Sequence, residues 1–204
     1  MTKKKKRAIL FSAFALIAVI LIGTTLAYFT DTDTKQNVFT IGKVSGTLTE
    51  DKSKDGKARD DGGRDYKDFK PGDSLSKVPV VNVDSSSLPA YVRIKISYDN
   101  TLSSDLITAV ESGLDIQSGW TRGSDGYYYY NSIVQPGSST APLFTTVKIP
   151  LEWTNTTLAK GTFSMTLSAD LIQSDHFTPQ KDASGNIIGW TNSDGSAVTI
   201  ENAN

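Results

Sequence analysis

Period-two alternation constrains this chain more than any other feature. From Ala90 to Tyr98, Val92, Ile94, Ile96 and Tyr98 fall on one side of an extended backbone, and Arg93, Lys95 and Ser97 fall on the other. Phe163, Met165, Leu167, Ala169 and Leu171 alternate in the same way with Ser164, Thr166, Ser168 and Asp170. A strand places successive side chains on opposite faces, so such segments each cover one side of a core and turn the other to water. Val78 to Val83, Leu114 to Trp120, Tyr127 to Val134 and Leu143 to Trp153 read as further strands. Between them stand turns with a mechanism. Lys70-Pro-Gly-Asp73 and Gln135-Pro-Gly-Ser138 pair a proline-fixed φ with a glycine that accepts positive φ, and Gly123-Ser-Asp-Gly126 is a third. Ser104 to Glu111 reads as a short helix ended by Gly113. The pattern predicts an all-β fold, an antiparallel β-sandwich with at most one or two short helices and one wet face per sheet.

The N-terminus carries a different signal. Lys3 to Arg7 is uniformly basic and is followed by fifteen uncharged, mostly apolar residues from Ala8 to Ile22. Small residues Thr25 and Ala27 then occupy the −3 and −1 positions before Tyr28, as in a secretory signal peptide comprising residues 1–27. The 22 residues from Ala8 to Phe29 are also long enough to span a bilayer if the segment is kept as an anchor. Either way the remainder is expected outside the cytoplasm, touching membrane only through an uncleaved signal segment.

Removing residues 1–27 takes away five basic side chains and no acidic ones, leaving 177 residues with a net charge of −6. That sign argues against nucleic acid as a partner, which requires a basic face. The absence of cysteine rules out disulfides and thiol chemistry, and one histidine, His176, cannot furnish the two imidazoles of a zinc-hydrolase motif. No Gly-x-Ser-x-Gly elbow is present for a Ser–His–Asp triad. Asp51-Lys-Ser-Lys-Asp-Gly56 begins like a calcium loop, but Gly62 stands where the bidentate acid belongs. The residues therefore predict no catalytic, cofactor or metal site.

Two segments invite other readings. Residues 50–69 hold 13 charges of both signs and three glycines, which predicts a solvated, flexible loop. Trp120, Tyr127, Tyr129 and Trp153 are candidate surface aromatics for a ligand- or glycan-binding platform. Beyond Gln180, turns at Ala183–Gly185 and Ser193–Gly195 flank Ile187, Ile188 and Trp190, so residues 181–204 form either a terminal hairpin or a frayed tail.

Several segments together are familiar. The junction Leu26-Ala-Tyr-Phe-Thr-Asp31 with Asn37-Val-Phe-Thr-Ile-Gly42 resembles the TasA/camelysin family of Firmicutes, whose members are exported through the signal peptidase SipW. Leu88-Pro-Ala-Tyr-Val-Arg-Ile94, Asp125-Gly-Tyr-Tyr-Tyr-Tyr130 and Pro142-Leu-Phe-Thr-Thr-Val-Lys-Ile-Pro150 fit the same family, as do Lys70–Asp73 and Ala169–Gln173. The likeness covers about residues 1–175. It implies a jelly-roll sandwich, cleavage before Tyr28, and a place in the biofilm matrix or on the surface of a Gram-positive cell. It also implies self-association or pairing with another matrix subunit, in which a freed N-terminal strand completes a neighbour's sheet. Carried onto this chain, the donor strand lies in residues 28–49, beginning at Tyr28 and Phe29 and continuing through Val38, Phe39 and Ile41. Backbone hydrogen bonds would supply its affinity.

Overall fold

The computed structural model describes residues 30–33, 44–99, 103–151, 153, 163–175, 177–196 and 198. In chain order its strands are β1 (Thr30–Asp33), β2 (Gly46–Thr49), β3 (Lys57–Ala58), β4 (Arg64–Asp65), β5 (Ser74–Ser76), β6 (Val80–Val83) and β7 (Ala90–Tyr98). Helix α1 (Ser104–Ser112) follows, then β8 (Trp120–Arg122), β9 (Tyr127–Tyr130), β10 (Thr146–Lys148), β11 (Met165–Gln173), β12 (Phe177–Lys181) and β13 (Ile187–Asn192). The fold is an all-β antiparallel sandwich with one short helix among the described residues.

The two strongest alternations in the sequence pair with each other. β7 and β11 are antiparallel along their full length, from Met165↔Tyr98 to Gln173↔Ala90. The shared register puts Val92, Ile94, Leu167, Ala169 and Leu171 on one face, where all are buried. β9 extends this sheet beside β7, β8 lies beyond β9, and β1 pairs with β11 at the opposite edge, giving the order β1-β11-β7-β9-β8.

A second layer faces it. β6 pairs with β2 on one side, from Gly46↔Val83 to Thr49↔Val80. On its other side runs the chain from Ser138 to Thr145: Thr140 N–H donates to Val81 O at 2.9 Å and Leu143 N–H to Pro79 O at 3.0 Å. This pairing continues into β5 and β10. Val44, Val81, Val83, Leu143, Phe144 and Val147 from this layer meet Val92, Ile94 and Leu171 in one core. α1 adds Val110 to it and stops at Gly113, whose N–H donates to Val110 O at 3.0 Å.

Three sequence expectations change. Leu114 to Trp120 is not a strand. Leu114 makes a single bridge to Val147, and the Asp115 carboxylate accepts from the backbone N–H of Thr145 at 2.8 Å and Thr146 at 2.7 Å, so a side chain replaces the ladder. Regular structure begins only at Trp120. The Leu143 to Trp153 alternation condenses to β10, because Pro150 has no N–H to continue a ladder. Beyond it the chain turns and leaves Leu151 74% exposed, while Trp153 folds back into the core.

The charged stretch is the third. Residues 57–65 form a small hairpin, β3 with β4, closed where Arg59 N–H meets Gly63 O at 2.9 Å. Its base is laced to β5: Ser76 N–H donates to Asp55 Oδ2 at 2.6 Å and Tyr66 Oη to Ser76 O at 3.0 Å. Glu50 and Ser53 are buried. Charged side chains read as loop in the sequence here serve as hydrogen-bond partners for a neighbouring strand.

Candidate functional site

The N-terminal strand sits at a sheet edge. β1 pairs antiparallel with the second half of β11, in the register Thr30↔Ile172, Asp31↔Leu171, Thr32↔Asp170 and Asp33↔Ala169. It is the outermost strand of its sheet and has no second strand partner among the described residues. β1 falls inside the donor segment expected from the sequence. The expected donor side chains Tyr28, Phe29, Val38, Phe39 and Ile41 lie outside the described residues, as do the cleavage positions Thr25, Ala27 and Tyr28, and His176.

The expected aromatic platform is corrected by burial. Trp120 is 5% exposed, Tyr129 1% and Trp153 2%, so none of these three is a surface aromatic. Trp120 Nε1 donates to Ala141 O at 3.1 Å, and its ring lies 5.0 Å from that of Tyr130. Trp153 meets Phe163 edge-on at 5.3 Å. Tyr127 alone of the four is half-buried. Trp120 and Trp153 belong to the main core, and Tyr129 is buried because the outer face of the β7–β9–β11 sheet is covered as well, where the alternation predicts a wet face. β12 and β13 form the terminal hairpin, already begun at Phe177, and it packs on the outer face. There Tyr91, Tyr129, Ile172, Ile187 and Trp190 make a second, smaller core.

Inside that second core lies a cation in an aromatic box. The Arg93 guanidinium is 3.9 Å from the Tyr127 ring centre and 4.9 Å from that of Trp190. Its Nε donates to Asp170 Oδ2 at 2.8 Å, and its Nη1 to Tyr129 Oη at 3.2 Å. Tyr129 Oη in turn donates to Asp125 Oδ2 at 2.7 Å, while Lys95 Nζ donates to Asp125 O at 2.6 Å. Burial, reinforced by the hydrogen bond to Asp125, pushes the Tyr129 phenol up to about 12. Each of these hydrogen-bonding groups has a partner, and Trp190, packed against Arg93 and Tyr129, fastens the hairpin to the sheet.

A cleft of about 840 Å³ opens elsewhere, between the start of β11 and the β5–β10 pair, with the β3–β4 hairpin along one side. Trp153, Phe163, Phe69 and Ile149 line its apolar part, and Glu50 and Lys77, joined as a buried ion pair, its polar part. Burial lowers the Lys77 ammonium's pKa, and the Glu50 charge opposes that shift. Burial and the same negative charge push the Tyr66 phenol up to about 12.

No group of His, Asp or Glu side chains among the described residues is arranged to hold a metal ion, and none of their helices is long and apolar enough to cross a membrane. Compared with family models, with curated proteins and with solved structures, the chain matches none.

Proposed function

We propose that the chain is an exported, non-enzymatic structural protein of the cell surface or biofilm matrix, whose subunits join by exchanging their N-terminal strands. The observation that carries this reading is the position of β1, a four-residue strand at the edge of its sheet, paired among the described residues with β11 alone. A strand in that place leaves by breaking one short ladder, while the nine-residue β7–β11 pairing stays whole. The vacated edge presents the same backbone donors and acceptors to the same segment of another copy, so exchange conserves every bond it breaks. Each subunit gives a strand at one place and receives one at another. Such a heterologous contact does not close, and it propagates as a filament. The likeness of the Leu26–Asp31 junction to SipW-processed proteins supports the same reading, with cleavage before Tyr28 as the step that frees the donor.

Sedimentation of the chain from Tyr28 to Asn204, against the same chain with three extra N-terminal residues, tests the proposal. Large species are expected only from the native start. A chain that stays monomeric with either start at high concentration overturns it.

A further inference from the structure

The cleft beside the β3–β4 hairpin has a property that packing alone does not explain. Two polar atoms in its lining residues, Glu50 Oε2 and Trp153 Nε1, are buried without a hydrogen-bond partner among the described residues. Glu50 is 8% exposed and Trp153 2%. Buried polar groups are paired in nearly all native structures, and an orphan marks a place where something other than core packing is served. Here an acceptor and a donor are orphaned in one concavity. The rest of the wall is apolar: Phe163 meets Trp153 edge-on at 5.3 Å and Phe69 at 6.3 Å, with Leu75, Ile149 and Leu167 beside them. A volume near 840 Å³ lies in the range that holds a small organic molecule.

Charge narrows the ligand class. Glu50 Oε1 already takes the Lys77 ammonium, so the cleft floor is neutral as a pair. On the rim, Arg59, Arg64 and Lys67 are matched by Asp61, Asp65 and Asp68. Nothing here selects a net cation or anion.

We infer that this cleft binds a neutral, mainly apolar small molecule carrying one hydrogen-bond donor, for Glu50 Oε2, and one acceptor, for Trp153 Nε1. An aromatic amide is the simplest molecule of that description. Binding to them requires side-chain rotamer changes of the kind common at interfaces, which would turn both atoms to the cleft surface. This binding is independent of strand exchange, since the β11 residues that line the cleft, Met165 to Leu167, lie outside the stretch from Ala169 to Ile172 that pairs with β1.

The test titrates N-benzylacetamide into the isotope-labelled chain carrying three extra residues before Tyr28, the form expected not to assemble, and follows the three indole N–H resonances by NMR. The Trp153 signal is expected to move saturably while those of Trp120 and Trp190 hold still. N-benzyl-N-methylacetamide, which keeps the ring and carbonyl but lacks the N–H, is expected to bind about tenfold more weakly, the worth of one hydrogen bond to a charged group. Glu50→Gln, which presents an amide N–H₂ where the carboxylate accepted, is expected to bind the first probe correspondingly less well. If that variant fails to fold for want of the Lys77 partner, the comparison of the two probes on the native chain still decides. A Trp153 signal that does not saturate, or equal affinity for the two probes, overturns the inference.

Discussion

Arg93 and Asp170 face each other across the β7–β11 ladder, joined at 2.8 Å on the side of the sheet turned away from the main core. Their side chains are 11% and 4% exposed. A charge pair so placed is a poor source of net stability, because desolvation opposes the attraction, but it is costly to break from one side. Arg93→Met, which leaves the Asp170 carboxylate without its guanidinium, is expected to lower the unfolding free energy by about 3–5 kcal/mol. The double variant Arg93→Met/Asp170→Leu is expected to lose much less than the two single variants together. Urea denaturation of the four proteins measures both quantities, and strict additivity would show that the pair does not act as a unit.

Trp190 is the hairpin's anchor. It is 6% exposed and meets Tyr129 edge-on at 5.2 Å, with the Arg93 guanidinium over its ring. Trp190→Ala is expected to cost about 3–5 kcal/mol, as for other buried aromatic truncations. The loss has a location: the amides of β12 and β13 should exchange with solvent faster, ahead of those in β7 and β11. Uniform acceleration across both sheets would mean that the outer core is inseparable from the main one.

At Gly46, β2 lies tightly between its partner strand β6 and Leu171 of the sheet opposite. A methyl group there would sit 2.5 Å from Asn82 O and 2.7 Å from Leu171 Cδ2. Gly46→Ala is therefore expected to destabilise by about 1–3 kcal/mol through overpacking. Adding Leu171→Val removes only the side-chain half of the clash and should not restore native stability, because the Asn82 carbonyl belongs to the paired backbone. Thermal denaturation of the single and double variants decides.

The sequence was most readable where local pattern and tertiary pairing agree. β7 spans Ala90–Tyr98, the segment that alternation predicts, and α1 ends where Gly113 marks it. Alternation assigns Arg93 and Lys95 to the outer face correctly, but period two says only which side a residue takes, not what later covers it. Trp190 returns from the far end of the chain to do so, and no local signal announces that contact. The same limit concealed the buried aromatics: Trp120 and Trp153 carry no mark of their surroundings, and their placement depends on Ala141 and Phe163. Glu50 opens a run of charges and reads as solvated; its ion pair with Lys77, 27 residues on, makes it part of a cleft wall. β1 is a Thr-Asp repeat with weak strand propensity, extended because β11 offers it an edge.

Tyrosine ionisation gives the chain an alkaline weakness that can be assigned to residues. Burial first, then the Asp125 hydrogen bond, raises the Tyr129 phenol from an ordinary 10.0 to about 12. Burial first, then the Glu50 charge, does the same for Tyr66. The folded chain thus keeps phenolic protons that the unfolded chain has released. Stability from these groups is complete below pH 10 and is lost as pH rises from about 10 towards 12. Ultraviolet titration of phenolate should show a late-ionising fraction of the eight tyrosines. Tyr129→Phe is expected to cost about 1 kcal/mol at neutral pH, through the lost bonds to Arg93 and Asp125, and to flatten the alkaline slope. Parallel stability curves for the native chain and Tyr129→Phe above pH 10 would place the weakness elsewhere.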